Sequence, residues 1–150
     1  MQNGNTLLSL RNFSSTVEVN PQGEIVWEFD WINLYPTTNP MGHDPHEPEM
    51  LNNNHLLICL QRDAPYQVVE LNRNTGLPVW EYHREYLRTS RDSDRLPNGN
   101  TLIVGVLEDT NDSVIFEVTS DGEIVWQLKV KDTPAVNTPG WFYKAQRICQ

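Results

Sequence analysis

Arg95-Leu96-Pro97-Asn98-Gly99-Asn100-Thr101-Leu102-Ile103, followed by Gly122-Glu123-Ile124-Val125-Trp126, decides the fold of this 150-residue chain. Pro-Asn-Gly is a hairpin turn, Thr-Leu-Ile opens an apolar strand, and Gly-Glu turns the chain into an outer strand that carries Trp. The same phrase stands at Asn3-Gly4-Asn5-Thr6-Leu7-Leu8 with Gly23-Glu24-Ile25-Val26-Trp27. It stands again at Asn53-Asn54-His55-Leu56-Leu57-Ile58 with Gly76-Leu77-Pro78-Val79-Trp80. Short strands recurring about every 45–50 residues predict β-propeller blades, each too thin to bury both of its faces alone.

Working outward, the middle copy predicts strands over 46–51, 55–61, 66–71 and 78–83, with Pro48 forcing a bulge or a broken ladder in the first. The third copy predicts 91–96, 100–107, 113–118 and 123–130. No segment shows a helical period, so the chain is read as all-β, in blades of four antiparallel strands. Blade A covers 1–30 and lacks an innermost strand; blade B covers 44–83 and blade C covers 90–130. Residues 141–149, where Arg147-Ile148 match Arg95-Leu96, supply the missing strand. The chain 1–150 is thus one half-propeller domain. It is expected to close as a six-bladed ring, a homodimer in which each copy lends its last strand to the other, or as part of a longer propeller.

Composition narrows the partners. With 38% apolar residues, five Trp and five Tyr, the chain has what a packed core needs. A net charge of −9 without a Lys/Arg cluster argues against nucleic acid. No apolar stretch approaches the roughly 18 residues of a membrane helix, and no membrane association is expected. The N-terminus lacks the basic and apolar regions of a signal peptide, which leaves the compartment open. Cys59 lies in an apolar strand and reads as a buried, inert thiol, while Cys149 reads as a free thiol or a chance crosslink.

The phrase from Arg95 to Ile103, with Ile115-Phe116-Glu117-Val118 and Gly122-Glu123-Ile124-Val125-Trp126, resembles the blade repeat of the arylsulfotransferase (arylsulfate sulfotransferase) propeller family. Phe142-Tyr143-Lys144-Ala145-Gln146-Arg147-Ile148 resembles the way that family opens a blade, so the likeness covers essentially the whole chain. It implies a six-bladed propeller with a site on its axis. It also implies transfer of a sulfuryl group between phenols through a transiently sulfated His, with further His and Arg binding the sulfate and no cofactor. The family's enzymes are exported, which would place the protein in the periplasm or outside the cell. They also carry an N-terminal domain for which no counterpart is seen. The quoted turns, Glu and Trp are scaffold residues, and a non-catalytic propeller binding or assembly module fits them equally.

Site residues are sought early in each innermost strand. Counting back from Met50, Arg95 and Arg147, one position holds His46, Arg91 and Tyr143. His46 is the candidate sulfuryl acceptor, because a neutral imidazole is nucleophilic near neutral pH. Arg91 suits a sulfate through its planar donors, and Tyr143 can orient a phenol by stacking. His43 is a further candidate for substrate binding, so the expected ligand is a phenolic sulfate or another small anionic or aromatic molecule. His43, Asp44, His46 and Glu47 bunch together, but strand neighbours point to opposite faces, and no metal is expected. The loop 31–41 is read as a lid over the channel mouth. Glu18, Glu70 and Glu117 recur as structural partners, His55 flanks a turn, and Trp27, Trp80 and Trp126 pack between blades.

Overall fold

The computed structural model of the chain describes residues 4–62, 64–131 and 142–148. Trp141 and Cys149, at the ends of the expected last strand, lie outside the described residues. Alternation and turn chemistry produce three antiparallel sheets. The first comprises β1 (Thr6–Leu10), β2 (Ser15–Val19) and β3 (Ile25–Asp30), in that order. The second runs β4 (Asp44–Met50), β5 (His55–Gln61), β6 (Val68–Asn72), β7 (Leu77–Tyr82). The third runs β8 (Leu87–Arg95), β9 (Thr101–Leu107), β10 (Ser113–Val118), β11 (Ile124–Val130). The all-β reading holds. A helical turn, α1 (Trp31–Leu34), is capped by the Asp30 carboxylate accepting from Ile32 N.

The hairpin turns explain their own residues. Gly99 takes φ +87°, where a side chain would strain the backbone, and Asn54 takes φ +60° at the corresponding place of the second sheet. Asn tolerates that left-handed conformation because its short amide bonds locally. In β5, Leu56, Ile58 and Leu60 pack toward the first sheet, while Leu57 and Cys59 pack toward the third, all fully buried. The run is apolar throughout because both of its faces are covered. Each such Leu contributes about 2 kcal/mol by leaving water.

A repeated latch ties the sheets together. In the second sheet Glu70 accepts from His55 Nδ1 (2.6 Å) and from Arg95 Nη2 (2.6 Å), and the Arg95 guanidinium lies 5.3 Å over the Trp80 ring. Arg95 ends β8, so the third sheet locks onto the second. Glu117 likewise accepts from Asn100 Nδ2 (2.8 Å) and Arg147 Nη2 (2.6 Å), with Arg147 4.6 Å over Trp126. Glu18 accepts from Asn5 Nδ2 (2.6 Å), yet the place of Arg95 is held here by Met50. Arg73, from the β6–β7 turn, substitutes: it pairs with Glu18, lies 4.1 Å over Trp27 and reaches the Met50 sulfur. The recurring Glu, Trp and His55 are therefore scaffold.

Bulges break the ladders on which the site is built, and two of them flank it. In β4 the register shifts between His46 and Glu49, with Glu47 at φ +42° and Pro48 in the gap. In β8 it shifts between Ser90 and Asp92, leaving Arg91 as the extra residue. Bulges re-aim side chains without ending the sheet.

Candidate functional site

At the start of β4, Asp44 and His46 are both buried. Arg11, in the turn after β1, grips the Asp44 carboxylate with Nε and Nη2, both at 2.5 Å. Such a fork fits a carboxylate's two oxygens. Arg62, just past β5, places Nη2 3.7 Å from Asp44 Oδ2 and donates to the Met41 carbonyl. Burial by itself would raise the Asp44 carboxyl. The Arg11 fork, with the charges of His46 and Arg62, outweighs it and holds the group below the usual carboxylate range.

His46 Nε2 lies 3.6 Å from Asp44 Oδ2, too long for a hydrogen bond, and is buried without a hydrogen-bond partner among the described residues. Burial pushes its pKa below the ordinary 6.5; the Asp44 charge opposes this, and the Arg11 and Arg91 charges add to it. The ring is therefore neutral at neutral pH. From the other side, Arg91 Nη1 donates to Tyr143 Oη (3.3 Å), its guanidinium 5.1 Å over the Tyr143 ring. His46, Arg91 and Tyr143 are thus brought together, and Arg11 and Arg62 join them. Arg11 and Arg62 face the Asp44 carboxylate, and the charges of Arg11 and Arg91 reach His46, in a chain of net charge −9.

The route by which these residues meet differs from the count along the sequence. His46 pairs with Cys59, whereas Val104, which holds the place of Cys59 in the third sheet, pairs with Asp92. The two bulges offset the strands, so Arg91 reaches the cluster as an extra residue and not as the ladder equivalent of His46. Arg11 and Arg62 were missed as site residues. Their signal is readable in hindsight: both follow the second strand of their copies, at the same end of the sheets as His46.

His43 is fully buried and serves the loop. Its Nε2 donates to the Tyr35 carbonyl (2.5 Å), its ring stands edge-on to Tyr35, and its own carbonyl accepts from Ser14 Oγ (2.9 Å). These contacts anchor the loop before β4. The 31–41 segment is anchored too, since Trp31 is buried and donates Nε1 to Thr16 Oγ1 (2.9 Å). Among the described residues no three His, Cys, Asp or Glu side chains are grouped to hold a metal ion.

No protein-family model matches the chain, and no curated protein matches it. Among solved structures, a protein of unknown function from Bacteroides caccae is similar: 20% identity, TM-score 0.57, over 82% of this chain and 39% of that one. The likeness is one of fold alone. The chain spans about two fifths of that neighbour's length.

What the pocket can do follows from its charges. Next to the cluster, from Glu47 onward, opens a cleft of about 460 Å³ lined by Thr6, Glu47, Glu49, Asp92, Asp94 and Lys144. Asp92 accepts from Ala145 N (3.2 Å) and lies 3.5 Å from Lys144 Nζ. The carboxylates, relieved by Lys144, give this space a negative field that repels an anion, and the arginines lie outside its lining, two of them on Asp44.

Proposed function

We propose that the chain is half of a six-bladed β-propeller, similar to arylsulfotransferases, that moves a sulfuryl group from one phenol to another with His46 as the transient acceptor. The ring is completed by further blades, from a second copy or from a longer chain. The observation that carries the reading is a buried imidazole, neutral at pH 7, beside an Asp44 held by Arg11 and Arg62, within the charge of an Arg91 that lies over the Tyr143 ring.

In this reading Asp44, facing Nε2, favours the tautomer with the proton on that nitrogen and leaves the Nδ1 lone pair to attack. Nδ1 bonds to the sulfur of an aryl sulfate as the sulfur–aryl oxygen bond breaks, and the electron pair leaves with the phenolate, which solvent protonates. The arginines hold the sulfuryl oxygens through this exchange. A second phenol gives its proton to solvent, its oxygen attacks the same sulfur, and the N–S bond returns its pair to Nδ1.

Incubation with an aryl sulfate donor and a phenol acceptor is expected to give sulfuryl transfer that disappears in His46→Ala. Arg91→Ala should raise KM about tenfold or more, the loss of one charge-assisted contact. Only the unprotonated ring attacks and its pKa is lowered, so the acid limb of kcat/KM should fall below pH 6.5. Folded protein that transfers nothing above the protein-free background would sink the enzymatic proposal and leave a binding module.

A further inference from the structure

The third latch is closed by a segment that belongs to no sheet. Arg147 meets Glu117 and Trp126 just as Arg95 meets Glu70 and Trp80. Arg95 is the last residue of β8, the first strand of its sheet. Residues 142–147 therefore lie on the third sheet where the first strand of a following sheet would lie, held by Phe142 N to Ser113 Oγ (3.1 Å) and Ala145 N to Asp92 Oδ2 (3.2 Å). Behind them, among the described residues, no sheet follows.

The first sheet has the complementary shape. β5 and β9 are each flanked by a first strand, β4 and β8, whereas among the described residues β1 has a neighbour on one edge only. The surfaces beside these two features are apolar and open. On the third sheet, Trp126 and Leu128 pair with Glu117 and Ile115, so they share the latch face, and they are 40% and 43% exposed. On the first sheet, Leu8 is 41% exposed, although Ile103, its counterpart, is fully buried against the second sheet. Ile25 is 58% exposed, while its counterpart Ile124 packs on that same core. Within this chain, faces of both kinds are covered by another repeat of the same design.

We infer that β1 of a second copy of this chain pairs antiparallel with residues 144–147, seating the second copy's first sheet on the third sheet of the first. The register is set by the β8–β9 ladder, where Arg95 pairs with Thr101, Asp94 with Leu102 and Ser93 with Ile103. Transposed, Arg147 faces Thr6 of the second copy, Gln146 faces Leu7 and Ala145 faces Leu8. Twofold symmetry makes the contact twice and removes both open edges. The inference rests on the half-propeller reading and chooses the second copy over a longer chain as the source of the missing blades.

Light scattering should give twice the chain mass at micromolar concentration. For the register, Leu8→Cys and Ala145→Cys are made in separate chains, each with Cys149→Ser, then mixed, refolded together and oxidised. A disulfide-linked dimer is expected in the mixture and in neither variant alone. A well-folded protein that stays a monomer to about 100 μM, or a dimer in which this pair does not crosslink, overturns the inference. The sulfuryl-transfer assay runs in parallel: transfer by a monomer removes only the dimer, and a crosslinked dimer without transfer removes only the chemistry.

Discussion

Arg11 and Arg62 turn a buried carboxylate into part of a cationic pocket, and Asp44 tolerates burial only because they are there. Its folded pKa lies below the unfolded value, so it adds stability that is present above the ordinary carboxylate range and lost as pH falls through the folded value. Arg11→Ala should therefore lower unfolding free energy by about 1 kcal/mol at pH 7, the modest figure reflecting that the Arg11 side chain is half exposed. The difference from wild type should shrink as pH is lowered, read from denaturant midpoints. Cys59 is the opposite kind of residue: burial lifts its thiol to about 12, and with no thiolate it is inert, as its apolar strand implies. Single residues whose role follows from pattern, such as Cys59 and His55, could be read directly. Asp44, Arg11 and Arg62 could not, because their pairing joins distant turns.

Among the elements, the outer strands and turns follow the sequence to within one or two residues, since alternation and Gly or Asn punctuation are local. The bulges were harder. Pro48 announced one of them, but the break at Arg91 follows no Pro or Gly, and counting back from Arg95 ran straight through it. The helical turn α1 was missed because four residues carry no period. At Gly105 β8 leaves no room for a side chain on β9: a Cβ there would meet Leu87 Cδ1 and the Thr89 carbonyl oxygen at 2.6 Å each. The carbonyl is backbone and cannot swing aside, so Gly105→Ala should push β8 off β9 and cost about 1–3 kcal/mol in a denaturant titration. Because Arg91 hangs from that strand, the same variant should also weaken binding of an aryl sulfate, measured by calorimetry.

At the scale of the molecule, charge is sorted. Cations gather around His46, while Glu49, Asp92 and Asp94 line the adjoining cleft. Burial first, then mutual repulsion, raises all three of these carboxyls, against relief from backbone donors and Lys144. A carboxyl raised by folding binds protons more readily in the native state, so its contribution to stability falls as pH rises through its range. Asp94→Asn should accordingly raise the thermal midpoint at pH 7, with the gain fading toward pH 4. The repeat made the number and kind of sheets legible, because it is written in the spacing of the turns. The charge sorting was not, since it depends on which side each bulge sends its residues.

Arg73 carries a consequence for anyone recombining these repeats. The first junction takes its guanidinium from position 73, the second from position 95, and the corresponding places are held by Met50 and Ser120. A chimera with the Met50 strand and the Ser120 turn would bring no cation to a buried glutamate, and the reverse chimera would bring two. Crossovers between repeats should succeed only when the stretch from Met50 to Arg73 travels as one block.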